Sequence, residues 1–111
     1  MRLAFLSILA LLPCALTPGL SSAMAQSADP AAGARLSEAD CAACHAVGAD
    51  PHAKSPDPRA PRFLDVARMP STTELSIKVF LRSSHRNMPN FLLSPEEIDS
   101  VASYILSLKK K

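Results

Sequence analysis

The chain has 111 residues, of which 48% are hydrophobic and 20% are charged, and its formal net charge is +2. This length allows one small domain and excludes a multidomain enzyme or a long repeat array. The nearly balanced charge disfavours nucleic acids and anionic membrane surfaces as partners.

Residues 1–25 have the three parts of an export signal. Arg2 supplies the positive start, an almost unbroken apolar run extends from Leu3 to Leu16, and small residues end at Ala25. We predict cleavage before Gln26, which leaves a mature domain of residues 26–111. The alternative is an uncleaved membrane anchor, but the apolar run is shorter than the roughly 20 residues that span a bilayer.

The mature region predicts an all-α domain, because it lacks alternating β-branched runs and Asn-Gly or Asp-Gly hairpin turns. We expect the first helix from about Ala31 to Ala39, with Cys41 at its end. Glycine inside a helix costs about 1 kcal/mol relative to alanine, so Gly33 suggests a close helix crossing. Fraying near the terminus would also explain this glycine.

The sequence Cys41-Ala42-Ala43-Cys44-His45 follows this helix. Two thiols at this spacing can add to the two vinyl groups of one haem, and the adjacent imidazole can then ligate the iron. A CxxC redox pair would require a βαβ context, and a zinc site would require a second ligand pair at zinc-finger spacing. A structural disulfide would close only a very small loop. The motif, the export signal and the helical context together favour haem.

Residues 46–61 are rich in proline, which excludes helix and strand and predicts a loop. We expect Pro61 in the first turn of a short second helix, Arg62 to Met69, which Pro70 ends.

A third helix is predicted from about Thr72 to Arg82, with Ser71 or Thr72 as its cap. Its apolar side chains point in more than one direction, which predicts burial on two sides; they are Leu75, Ile77, Val79, Phe80 and Leu81.

The last helix has the clearest signature, a capping box in Ser94-Pro95-Glu96-Glu97. Apolar residues then recur at helical spacing, at Ile98, Val101, Ala102, Ile105 and Leu108. Lys109, Lys110 and Lys111 lie where the helix dipole favours positive charge.

From residue 31 to residue 108 the chain resembles small bacterial class I cytochromes c. The resemblance rests on Gly33 and Leu36, the CAACH motif, the loop ending Ala60-Pro61-Arg62-Phe63, the Met88-Pro89 pair, and Tyr104 and Ile105. It implies an all-α class I cytochrome c fold in which the first and last helices cross, Tyr104 lies near Gly33, and one covalent haem c forms the core. It further implies thioether links at Cys41 and Cys44, His45 as the proximal iron ligand, and a Pro61 carbonyl that accepts a hydrogen bond from His45 Nδ1.

The resemblance also implies that Met88 is the distal iron ligand. Met69 is a rival, but it ends a predicted helix and is expected in the core. His85 would give bis-histidine ligation, and His52 is a weaker candidate for the same role.

Ligation by histidine and methionine raises the reduction potential and leaves no open position on the iron. We therefore expect a periplasmic electron carrier, either a free monomer or the small haem subunit of a redox complex. Its partners would be redox proteins, a dehydrogenase, an oxidase or a reductase, with no nucleic acid and no membrane insertion after signal cleavage. The alternative is a haem enzyme or a gas or peroxide sensor with an open or displaceable sixth site.

Charge is segregated along the chain. Residues 26–57 hold two basic and five acidic side chains, whereas residues 59–86 hold six basic and two acidic ones. Lys78, Arg82 and Arg86 recur at four-residue intervals and suggest a basic rim for docking, although an ordinary solvated helix face gives the same spacing.

Overall fold

The computed structural model describes residues 27–83 and 88–110. The helices in these ranges are α1 (Pro30–Asp40), α2 (Phe63–Arg68), α3 (Glu74–Arg82) and α4 (Pro95–Ser107), and a 3₁₀ turn, Leu108–Lys110, continues α4. The described ranges contain no strand, so the all-α prediction is confirmed. None of their helices has the length and hydropathy needed to cross a membrane. The predicted export signal lies outside the described residues.

Helix α1 begins at Pro30, one residue earlier than predicted, because Asp29 caps it. The Asp29 carboxylate accepts a hydrogen bond from the Ala31 N–H at 2.8 Å, and Pro30 occupies the first helical position, where its missing N–H costs nothing. The helix ends at Asp40, and the Cys41 N–H donates to the Ser37 carbonyl at 2.9 Å. The CAACH motif therefore starts at the helix end, as predicted.

Helices α1 and α4 pack closely at Gly33. A Cβ added to Gly33 would collide with the Ser100 carbonyl group and would lie 2.9 Å from the Tyr104 Cβ. One turn later the buried Ser37 hydroxyl donates to the Gly33 carbonyl at 2.8 Å, so no polar group is left unpaired there. The glycine marks a helix crossing, and the alternative of a fraying terminus is excluded.

We expect Gly33→Ala to lower the free energy of unfolding by about 1–3 kcal/mol, because overpacking against a backbone carbonyl outweighs the gain in helix propensity. Denaturant unfolding of the holoprotein measures this change. Gly48→Ala is the matched control, since a Cβ at Gly48 meets nothing within 4 Å. A Gly33→Ala protein as stable as the parent would contradict the close crossing.

Helix α4 begins as predicted. The Ser94 hydroxyl accepts from the Glu97 N–H at 3.2 Å, and the Glu97 carboxylate accepts from the Ser94 N–H at 2.7 Å. All five predicted apolar positions are buried: Ile98, Val101, Ala102, Ile105 and Leu108. Lys109 and Lys110 lie in the 3₁₀ turn instead of the α-helix, and Lys111 is outside the described residues.

The predicted start of α2 was wrong by one residue. Arg62 has extended backbone angles and caps the helix, so Pro61 lies before the first turn and not within it. The Pro61 carbonyl can therefore accept a hydrogen bond from a partner outside the helix.

The predicted start of α3 was also wrong. Thr73 caps it in a capping box with Ser76: the Thr73 hydroxyl accepts from the Ser76 N–H at 3.1 Å, and the Ser76 hydroxyl accepts from the Thr73 N–H at 2.8 Å. The Thr72 hydroxyl instead donates to the Val66 carbonyl at 2.6 Å, which holds the turn between α2 and α3.

Burial of α3 on two sides was a wrong prediction. Ile77 is buried, whereas Leu75 is 70% exposed and Val79 and Phe80 are more than half exposed. Phe80 borders a cavity instead of packed protein, whereas Leu75 and Val79 do not line that cavity.

Candidate functional site

A cavity of about 610 Å³ lies between the end of α1, the proline-rich loop, α2, α3 and the segment around Met88. The motif side chains Cys41, Cys44 and His45 line it, and so does Met88. Apolar side chains form most of the remaining wall; they are Phe63, Val66, Ile77, Phe80, Leu81 and Ile105. The volume and the apolar lining are those of a site for an organic cofactor.

The His45 ring is held in one tautomer. Its Nδ1 lies 2.6 Å from the Pro61 carbonyl oxygen, and a carbonyl can only accept, so Nδ1 carries the proton. The Phe63 ring packs against the imidazole with centroids 5.2 Å apart. In the neutral imidazole the lone pair then lies on Nε2, which is the tautomer of a metal-ligating histidine with an oriented ring.

Backbone hydrogen bonds bring Pro61 to His45. The Phe63 N–H donates to the Ala46 carbonyl at 2.9 Å, and the Asp57 N–H donates to the Cys44 carbonyl at 3.1 Å. These bonds fold the proline-rich loop back along the motif.

Arg62 also holds the proline-rich loop, through hydrogen bonds to the loop backbone. Its guanidinium donates twice to the Asp65 carboxylate, both times at 2.7 Å, and also to the carbonyls of Pro51 and Ala53. The hydrogen bonds from Arg62 lower the pKa of Asp65. Sequence reasoning missed this contact, although the three-residue spacing of Arg62 and Asp65 across a helix start is its visible signal.

Tyr104 connects this region to α4. Its hydroxyl donates to the Val47 carbonyl at 2.8 Å, two residues after His45. The implied proximity of Tyr104 to Gly33 is also present in the structure. The segment after the motif is therefore anchored to the last helix.

Cys41 and Cys44 do not form a disulfide with each other. Burial, followed by the charges of Asp40 and Cys44, raises the pKa of Cys41 to about 11. A redox-active CxxC pair needs a lowered thiol pKa, so this environment does not favour that alternative. Within residues 27–83 and 88–110, no three His, Cys, Asp or Glu side chains are grouped to hold a metal ion, which leaves the zinc alternative without support there.

Two methionines border the cavity. Met88 is half-buried, in the non-helical segment before α4. Met69 caps the end of α2 and is 46% exposed, so its predicted core position was wrong and it is a nearby rival to Met88. His52 is exposed and does not line the cavity, and His85 lies outside the described residues.

Of the three residues of the suggested basic rim, Lys78 is engaged within its own chain. Lys78 is only 21% exposed and pairs with the carboxylates of Glu74 and Asp99. Arg82 is exposed, and Arg86 lies outside the described residues. At the cavity itself the charged groups are Arg59 and Asp57, paired at 2.9 Å, and the Arg59 hydrogen bonds lower the pKa of Asp57.

These groups fit a covalently attached haem. Two thiols, an imidazole with its Nδ1 proton satisfied, and a thioether all border one apolar cavity. The thiols supply two attachment points for haem, and the imidazole and the thioether are groups that ligate haem iron.

Two comparisons with known proteins give matches. Residues 28–105 match the family described as cytochrome c oxidase, cbb3-type, subunit III. The chain is also 39% identical over 89 residues to cytochrome c-552 of Bradyrhizobium diazoefficiens, a match that covers 80% of this chain and 84% of that protein. No solved structure matches the chain.

Proposed function

The chain belongs to the class I cytochrome c family, and on this premise we propose that it is a periplasmic electron carrier with His/Met ligation of its iron. Its cofactor is covalently bound haem c, and its general role is electron transfer with redox partners. We assign the thioether links to Cys41 and Cys44, the proximal ligand to His45 and the distal ligand to Met88.

One observation carries this assignment: all four side chains border a single apolar cavity, and the His45 Nδ1 proton is already engaged by Pro61. When bound, haem c supplies an iron that alternates between the ferric and ferrous states by one electron. His45 presents Nε2 in a fixed orientation, and the hydrogen bond at Nδ1 raises the basicity of the ring.

Met88 and the apolar wall set the preference between the two iron states. A soft thioether favours ferrous iron, and side chains such as Phe63, Ile77 and Ile105 provide a surrounding of low polarity. Both effects favour a positive reduction potential. Electron transfer requires no bond making at a saturated iron, so a rigid pocket suffices and the protein needs no substrate of its own.

Export to the periplasm is supported by residues 1–25, with their positive start, apolar run and small residues ending at Ala25. In that compartment the haem protein would exchange electrons with other redox proteins. We propose that a dehydrogenase, an oxidase or a reductase docks briefly, since such encounters bury little surface.

The native protein tests these assignments in two measurements. An intact mass spectrum should show the polypeptide of residues 26–111 plus one haem, because thioether bonds survive denaturation. The oxidised protein should show the weak red absorption band of methionine-ligated ferric haem and should resist carbon monoxide when reduced. A pigment that acidified organic solvent extracts would contradict the thioether links. Rapid carbon monoxide binding without the red band would instead favour the sensor or enzyme alternative.

A further inference from the structure

Lys78 joins two helices that lie far apart in the chain. Its ammonium group is 2.9 Å from the Asp99 carboxylate on α4, and it also pairs with Glu74 one turn earlier on α3. The other ion pairs of the described residues join groups that are close in sequence. This one connects α3 to α4.

The pair is protected from solvent more than an ordinary surface pair. The Lys78 side chain is 21% exposed and that of Asp99 is 36% exposed. The Lys78 ammonium donates hydrogen bonds to the Glu74 and Asp99 carboxylates, and these bonds raise the pKa of Lys78. A cation shared between two carboxylates and partly shielded from water contributes more than the near-zero value of an exposed pair.

The two helices that it joins both border the cavity that Met88 lines, α3 through Phe80 and α4 through Ile105. Helix α3 supplies Phe80 and Leu81 to the cavity that Met88 also lines. Residues 88–93, which we call the methionine segment, have no helix or strand of their own and run directly into the Ser94 cap of α4. The position of the thioether relative to the cavity wall therefore depends on how α4 is held against α3.

We propose that Lys78 is a positioning residue for Met88. By joining α3 to α4 through Asp99, it keeps the methionine segment against the cavity wall and favours the state in which the thioether ligates the iron. This inference rests on the proposed His/Met ligation. It also gives Lys78 a role different from docking, since both of its carboxylate partners belong to its own chain.

Imidazole binding to the ferric holoprotein measures this positioning, because added imidazole must displace Met88 from the iron. We expect Lys78→Gln to bind imidazole about tenfold more tightly, which corresponds to about 1.4 kcal/mol. Lys78→Arg keeps the charge and should stay within about twofold of the parent. Lys54→Gln is the matched control, since it removes the same charge from an exposed lysine in the proline-rich loop.

Asp29→Ala separates positioning from a general loss of stability. It removes the carboxylate that caps α1 at the Ala31 N–H but keeps the Asp29 backbone N–H that donates to Ser100 on α4, so it should lower the unfolding midpoint without changing the imidazole constant. Equal imidazole constants for Lys78→Gln and Lys54→Gln would overturn the proposal, as would an equal tightening by Asp29→Ala. A parent protein without the red methionine band would instead overturn the ligation itself, and the inference with it.

Discussion

The Met88→Ala variant should keep its haem but lose the properties of a closed electron carrier. Cys41, Cys44 and His45 are untouched, so attachment proceeds, whereas the distal position opens to water, carbon monoxide or imidazole. Axial ligands span roughly 0.8 V in reduction potential, and we expect loss of the thioether to lower the potential by about 0.2 V. Potentiometric titration and carbon monoxide binding measure these changes.

Met69→Ala is the decisive control, because Met69 borders the same cavity and is 46% exposed. It should retain the red absorption band and a potential close to that of the parent. If Met88→Ala leaves the spectrum unchanged and Met69→Ala abolishes the band, the distal ligand is Met69. If neither variant changes the spectrum, His85 becomes the candidate.

The His45→Ala variant should yield no stable holoprotein. The imidazole is the proximal ligand in our assignment, and the cavity of about 610 Å³ is bordered by residues that form much of the core. Without haem, the apolar side chains that line this cavity lose the group that they would pack against and are left facing water. We therefore expect the haem-free chain to lose its helical structure.

Circular dichroism and haem content of purified protein check this expectation. His52→Ala is the control, since His52 is exposed in the proline-rich loop and does not line the cavity. It should accumulate as holoprotein at the level of the parent. A compact, helical His45→Ala apoprotein would show that the polypeptide core is sufficient without the cofactor.

The elements that the sequence predicted well are those fixed by local chemistry. The Ser94 and Glu97 capping box specifies the start of α4 within four residues, and the apolar spacing that follows specifies its buried face. The starts of α2 and α3 were misplaced because distant partners decide them. Pro61 is kept out of α2 while its carbonyl bonds to His45, and Thr72 is kept out of α3 while its hydroxyl bonds to Val66.

The candidate site divides in the same way. The CAACH motif is contiguous, so the two haem-linking cysteines and the proximal histidine could be named from the sequence alone. The helix-joining role of Lys78 and the cavity position of Met69 depend on tertiary placement, and neither leaves a periodic signal. Lys78 even suggested a docking rim, because its spacing to Arg82 is that of a solvated helix face.

The contact between Gly33 and Ser100 also determines when the domain can close. Its two sides lie far apart in the chain, so α1 cannot pack on α4 until the residues around Ser100 have been synthesised. Joining such distant segments carries a loop-closure cost that grows with their separation. We therefore expect Cys41 and Cys44 to remain accessible for haem attachment until α4 packs against α1.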